Sequence, residues 1–447
     1  MLISYMINIP WFRAKTCLSK FSSCAQPEMP QFSVIKKSRA FYFQNKIHQM
    51  AIFGFGGRCV RLLIHLYNLT KHTNTKINIA AVYDSHFYDV MKLVPLNDIH
   101  KVESFFNHTR IYSETINEEN IYLQNQFDLS FISSQNYKHY NSLKLALQYH
   151  KNIFCEKPLV HNLEDLTNLR QNFNQPENRF FQTGLTLRYT KMTNIVMKHL
   201  HKIGKLKHVY GREYVTTGHA VHIMTTWRRY RNLSGGLGLE KIVHDYDLLL
   251  YFMDKIFGIP INNIKITGTS TKDFWTFENQ EKILNRIAND KQAFDCYHER
   301  SKQIHQVIAN NPFEDLENPH MIPDCQKIRM EFLDSNINLE FEVNIGGFRF
   351  KPERYYEFHG SEGVITIDVV NSKMRINTIN ESNEIDLEGD GTGSSDGNRY
   401  VVQTLIDCLE NEKPNMPTFE EAIRSTHIGL LCEKSIITNQ SVIYVSK

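Results

Sequence analysis

The sequence predicts an α/β protein in two unequal parts. An N-terminal doubly wound domain on a parallel sheet is followed by a C-terminal α/β domain with a large, mostly antiparallel open sheet. Three observations carry this reading. Strand and helix patterns alternate from about residue 46, a glycine turn joins the first strand to the first helix, and after about residue 165 long strands with period-two alternation take over.

The elements follow in order. HQMAIFGFGG is a short apolar strand running into glycines, and RCVRLLIHLYNLTKH has helical apolar spacing through Val60, Leu63, Ile64 and Tyr67. KINIAAVYD is a second strand ending at Asp84, FDLSFISS a later strand, YNSLKLALQYH a helix, and KNIFCEKPL a strand that stops at Pro158. Strands linked by helices imply parallel pairing with right-handed crossovers. Beyond them, LKHVYGREYVTT, QKIRMEFLDSNINLEFEVNIG, RYYEFHGSEGVITID and SKMRINTI read as half-buried strands close in sequence, as antiparallel sheets require. GGLGLEKIVHDYDLLLYFMDKIFG reads as one helix and FEEAIRSTHIGLLCEKSIITN as a closing one. The expected domains are 46–165 and 166–447, with a polar, partly helical insertion at about 271–324. Residues 1–45 read as a disordered extension or as the product of a start codon set too far upstream.

Composition narrows the function. The chain has 447 residues and a net charge of +3, so nothing favours a nucleic-acid or membrane surface. No apolar run approaches the ~20 residues of a membrane span. Cys17, Cys24, Cys59, Cys155, Cys296, Cys325, Cys408 and Cys432 are scattered without a CxxC pair. That argues against a disulfide framework and a zinc site and makes a reducing, cytoplasmic location the expectation. Cys296, His298, His305 and Cys325 match no standard zinc spacing, so no metal is expected.

Gly54-Phe55-Gly56-Gly57-Arg58-Cys59 follows a strand and opens a helix. The first glycine permits the tight turn. The second lets backbone approach a pyrophosphate at a helix N-terminus, and the small Cys59 allows close helix–strand packing. Asp84 at the end of the next strand supplies an acceptor for ribose hydroxyls and repels a 2′-phosphate. Gly54, Gly56, Gly57, Arg58 and Asp84 are therefore candidate cofactor contacts in a Rossmann domain, and NAD is favoured over NADP.

Three further segments carry a family resemblance: Cys155-Glu156-Lys157-Pro158, then Glu240-Lys241-Ile242-Val243-His244-Asp245-Tyr246-Asp247, then RYYEFHGSEGVITID. With the glycine turn, they resemble the Gfo/Idh/MocA oxidoreductases from about residue 47 to the end. The resemblance implies a pocket between the two domains beside the nicotinamide. It also implies that Ser133, Ser134, Asn136, Glu156 and Lys157 lie by the cofactor, that Lys157 faces the substrate, that Arg188 lies near the pocket, and that the open sheet forms homodimer or homotetramer contacts. The commoner family motif has Asp where Glu240 stands, and the usual histidine is missing from GDGTGSSDGNRYVV.

Hydride transfer from an alcohol needs a base for the hydroxyl proton. Glu240, His244 and Asp247 are spaced to share one face of a continuous helix, with Lys241 and Asp245 on the next. Lys157 and His244 are the expected acid/base pair, with Glu240 or Asp247 orienting the imidazole. Arg188, Lys241 and Asp245 are the expected substrate contacts. The cluster GHAVHIMTTWRR, with His219, His222, Trp227, Arg228 and Arg229, reads either as a site for a sugar acid or phosphate or as a loop crossing the pocket. The expected activity is an NAD-dependent dehydrogenase acting on a sugar, inositol or related polyol. A redox-neutral NAD-dependent glycosidase and a non-catalytic sugar sensor are the competing readings.

Overall fold

The computed structural model describes residues 47–446 except 74, 175–178, 292, 294–312, 314, 347–350, 389–394 and 411–415. The expected N-terminal extension, most of the insertion with Cys296, His298 and His305, and part of GDGTGSSDGNRYVV lie outside the described residues.

Short runs of apolar residues form the first sheet. Its strands are β1 (Ile47–Phe53), β2 (Lys76–Tyr83), β3 (Arg110–Tyr112), β4 (Leu129–Ile132), β5 (Asn152–Cys155) and β6 (Phe181–Thr183). All pairings are parallel, in the order β3-β2-β1-β4-β5-β6. β4 is buried at every position, as a strand covered on both faces must be. The order reverses between β1 and β4, which opens a crevice at their carboxyl ends where ligands bind in such sheets. Because β6 belongs to this sheet, the first layer draws on chain beyond the expected boundary at residue 165.

The second sheet has nine strands: β7 (Leu206–Tyr214), β8 (Ile264–Thr271), β9 (Cys325–Phe332), β10 (Ile337–Asn344), β11 (Glu353–Gly360), β12 (Gly363–Asp368), β13 (Lys373–Thr378), β14 (Ser382–Asp386) and β15 (Val442–Tyr444). Their order is β14-β13-β12-β11-β7-β10-β9-β8-β15, antiparallel except for the β10–β7 pair. Burial alternates along β9, β10 and β11, so one face carries the core and the other is half-exposed. Cross-strand ion pairs such as Arg212–Glu353 and Arg329–Glu340 line that outer face.

The predicted single helix over GGLGLEKIVHDYDLLLYFMDKIFG is interrupted. Gly235 and Gly236 take φ of +85° and +99°, so they lie outside the helix, ahead of its first turn. Helices Leu237–Glu240 and Val243–Phe257 are separate, with Lys241 and Ile242 between them. The second is apolar nearly all round and runs through the core.

Two late helices return to the front of the molecule. Ser395–Leu409 packs Val401, Val402, Leu405, Ile406 and Leu409 against Cys59, Leu62, Leu63 and Leu66 of helix Gly57–Thr70. Phe419–Thr438 starts with a Thr418/Glu421 capping box and sets Phe419 against Phe181 of β6. Among the described residues, no helix is long and apolar enough to cross a membrane.

Candidate active site

At the carboxyl end of β1, Gly54 has φ +90°, and a Cβ there would overlap the Ser134 backbone. Gly56 and Gly57 face open space, with nothing within 4 Å of a built Cβ. Helix Gly57–Thr70 begins at that opening, and its first-turn N–H groups have no helical acceptors. The Asp84 carboxylate braces the turn, with Oδ2 accepting from Phe55 N at 2.7 Å and Oδ1 from His86 N at 2.6 Å. Carboxylate oxygens have lone pairs left beyond one bond each. Cys59 is enclosed, and burial pushes its thiol up to about 12, so it is a packing group.

The ends of β4 and β5 close the other side. Ser133 Oγ donates to Gly54 O at 2.6 Å, while Ser134 Oγ is enclosed without a partner. His139, the next turn along, lies between the Ser134 and Pro158 carbonyls, at 2.9 and 2.7 Å. The Lys157–Pro158 peptide is cis. Glu156 is buried and accepts from Arg58 Nε at 2.7 Å, and Arg58 also donates to Asn398 on helix Ser395–Leu409. Gly184 leaves the room that the Glu156 carboxylate fills. Arg58 and Glu156, both expected at the cofactor, thus tie the glycine turn to β5 as a pair.

Lys157 Nζ donates to the backbone carbonyl of Glu240 and lies 3.9 Å from its Oε2. Burial lowers the Lys157 ammonium from its ordinary value; Glu240 opposes that and Arg228 adds to it. Glu240 itself accepts from Asn136 Nδ2 at 2.7 Å and from Arg228 Nε at 2.8 Å. Asn136, expected at the cofactor, is therefore held by Glu240 and by Ser234 O.

The break at Lys241 separates groups expected to act together. Asp247 is fully buried and accepts from Arg188 Nε and Nη2 at 2.6 and 2.9 Å and from Ser425 at 2.7 Å. Neither it nor Glu240 orients His244, whose Nδ1 is enclosed without a partner. Burial, then the charges of Lys157, Arg354 and Lys241, hold His244 well below its ordinary value, so it is neutral.

The expected substrate contacts Arg188, Asp245 and Lys241 all have protein partners. Arg188 is engaged by Asp247 in a bidentate pair and lies over the Tyr251 ring at 3.9 Å. Asp245 is fully buried and accepts from Arg354 Nε, Arg354 Nη2 and Tyr356 Oη at 2.9, 3.0 and 2.6 Å, which leaves no exposed oxygen for a ligand. Lys241 pairs with Glu213 at 2.8 Å and keeps 11% of its side chain exposed.

The donor set suits a dinucleotide. The open glycine cradle, the helix N-terminus, Asp84 and the partnerless Ser134 hydroxyl all lie at the carboxyl ends of β1, β2 and β4, around the switch point. Gly54, Gly56, Gly57, Asp84, Ser133 and Ser134 would hold it. Among the described residues, no group of three His, Cys, Asp or Glu is placed to hold a metal ion.

Two family models match this chain. One, described as the NAD-binding Rossmann fold of the oxidoreductase family, covers residues 48–184, and the C-terminal α/β domain of the same family covers 199–444. The chain belongs to the Gfo/Idh/MocA oxidoreductase family. It is 23% identical over 128 residues to the YteT protein of Bacillus subtilis, a match spanning 28% of this chain and 30% of that relative. A myo-inositol 2-dehydrogenase from Lactobacillus plantarum superposes with a TM-score of 0.58 at 16% identity, covering 89% of this chain and 100% of that one. An oxidoreductase domain protein from Kribbella flavida gives 0.64 at 13% identity, with 89% and 99% covered. A levoglucosan dehydrogenase solved with NADH and levoglucosan gives 0.62 at 11% identity, with 89% and 100% covered. These structures share the Gfo/Idh/MocA fold.

Sequence reasoning missed Glu213, Arg354 and Tyr356, which hold Lys241 and Asp245 in place. Arg354 and Glu213 face each other across the β11–β7 ladder, and Tyr356 is two residues on, on the same face. Period-two alternation in RYYEFHG already placed Arg354 and Tyr356 on one side, next to the buried Phe358. What it lacked was their partner, Asp245, more than 100 residues away.

Proposed function

We propose that this protein is an NAD-dependent dehydrogenase that oxidises a CH–OH group of a sugar, inositol or related polyol. Lys157 carries the reading: a buried lysine with a lowered pKa, at the mouth of the dinucleotide crevice and within reach of the Glu240 and His244 segment. The nicotinamide would accept the hydride. Lys157, eased toward its neutral form by burial, takes the hydroxyl proton, and neutral His244 stands as the second acceptor in the same enclosure. Glu240 fixes the ammonium in place, and the Asn136 and Arg228 bonds fix Glu240. Asp84 favours NAD by its charge at the ribose end. The half-exposed outer face of the nine-stranded sheet is proposed as a homo-oligomer contact, and light scattering that finds only monomer would remove it.

The test is NADH formation with NAD and a panel of sugars, inositols and polyols. Lys157→Ala is expected to lower turnover by about 10²–10⁴-fold, the usual span for an acid–base group, with NAD affinity retained. In the parent protein kcat/KM for oxidation should rise with pH, with an inflection below the ordinary lysine value of about 10.5. NADH formation untouched in the variant would remove Lys157 from the mechanism. No NADH with any substrate, from protein that binds NAD, would leave the glycosidase or sensor reading.

A further inference from the structure

We propose that the substrate is an acidic sugar whose carboxylate is received by Arg228 and the indole N–H of Trp227, beside Lys157 and Lys241. This rests on the dehydrogenase reading and narrows its substrate class.

Charge is the first argument. Lys157, Arg228, Lys241 and Arg354 form one network with Glu240, Glu213 and Asp245, so four cations face three carboxylates. Glu240 is shared between Arg228 at 2.8 Å and Lys157 at 3.9 Å. Glu213 is shared between Lys241 at 2.8 Å and Arg354 at 3.0 Å, and Asp245 is taken by Arg354. His219 and His244 add no charge, because burial and these same cations keep both neutral. While Lys157 is protonated, as the acid of the reverse reaction in the NADH complex would be, one positive charge is left without a counter-ion in an enclosed site, where charge is poorly screened.

Donor geometry is the second. Arg228 gives only Nε to Glu240, and its Nη1 is enclosed with no acceptor. Its guanidinium carbon lies 4.4 Å from the Trp227 ring centroid, which holds the planar fork in one orientation. Trp227 is 3% exposed, and its Nε1 is also enclosed with no acceptor. Enclosed donors without acceptors are destabilising, and a carboxylate supplies two oxygens and the missing charge together. A sugar hydroxyl supplies no charge. A phosphate monoester, at about −1.5 to −2, overshoots the excess.

Position is the third. The Trp227 ring lies 6.0 Å from that of Tyr137, the residue after Asn136, at the start of the helix beside the crevice. Arg228 and Lys157 meet on one carboxylate, so the anion and the reacting hydroxyl fit on a molecule of monosaccharide size.

Calorimetric binding to the full chain in the presence of NADH tests this with matched pairs: D-glucuronate and D-glucose, D-galacturonate and D-galactose, D-gluconate and D-sorbitol, with D-glucose 6-phosphate alongside. In at least one pair the acid should bind tenfold or more tighter than its neutral partner, with the margin shrinking as salt rises. Arg228→Gln should abolish the margin and Arg228→Lys should restore part of it, in proteins whose thermal melts match the parent. Acid binding no tighter than neutral in all three pairs, phosphate tighter than every carboxylate, or a margin unchanged in Arg228→Gln would each overturn the proposal. Acid preference without NADH formation would leave the carboxylate site standing and remove the dehydrogenase. NADH formed from neutral polyols alone would do the reverse.

Discussion

At the dinucleotide end of the crevice, Gly54, Gly56 and Gly57 act by lacking side chains, and the groups they free are backbone N–H donors. At the other end, Glu240, Lys241 and Asp245 act chiefly through side chains, placed by partners from β7, β11, the Trp227 turn or the segment after β5. The first end is fixed by local backbone conformation. The second is fixed by an ion-pair network that exists only once two sheets have formed. The two ends should therefore fail differently when altered.

The largest effect is expected in the network. Arg354→Met leaves Asp245 buried with its countercharge gone and takes one cation from Glu213, so stability should fall by about 3–5 kcal/mol. Urea denaturation measures this, and a loss below about 1 kcal/mol would mean the network is not what holds the segment.

At the glycine turn a split is expected between neighbours. Gly54→Ala forces a Cβ into the Ser134 backbone at a positive φ, which overpacking alone makes about 1–3 kcal/mol destabilising. Gly56→Ala has open space and φ −102°, so its melting temperature should hold while NAD affinity falls. Equal losses of stability in the two variants would erase the distinction.

The third is a pH effect. His219 and His244 are held neutral in the fold, so the unfolded chain binds protons first as pH falls. Stability should be intact above about 6.5 and decline below it, by up to about 1.4 kcal/mol per pH unit for each histidine until its folded value is reached. His219→Gln should flatten that slope in denaturation curves taken from pH 7 to 5. An unchanged slope would show that His219 does not titrate in this window.

The smallest is a change of preference. Asp84→Ala should narrow the discrimination between NAD and NADP by about tenfold or less, read from the two dissociation constants. A parent protein that binds NADP more tightly would contradict the NAD assignment.

These contrasts also explain what could be read before the structure. The Rossmann half was legible because GFGG, Asp84 and the EKP segment signal backbone geometry within a few residues of themselves. β7 and β9 to β13 were legible from alternation. β3, β6 and β15 were not, since three residues are too short to show a period. Lys157 was picked out by the EKP resemblance and His244 by residue type; the bond from Lys157 to the Glu240 carbonyl was not legible from either. The internal partners of Asp245 and Arg188 were not legible, because Arg354 and Asp247 lie 109 and 59 residues away in the chain. The helix break at Lys241 and Ile242 was not visible, since no glycine or proline marks it and the apolar spacing argued for continuity.

Helix Ser395–Leu409 covers the outer side of helix Gly57–Thr70 and reaches Arg58 through Asn398. During synthesis, therefore, the parallel sheet leaves the ribosome with one of its covers still some 200 residues from being made. Until then Leu62, Leu63 and Leu66 have no late helix to meet, and the dinucleotide turn lacks one of its ties. The order of the chain thus delays completion of its first domain until the second sheet has been made, a period in which exposed apolar surface is open to chaperones or to aggregation.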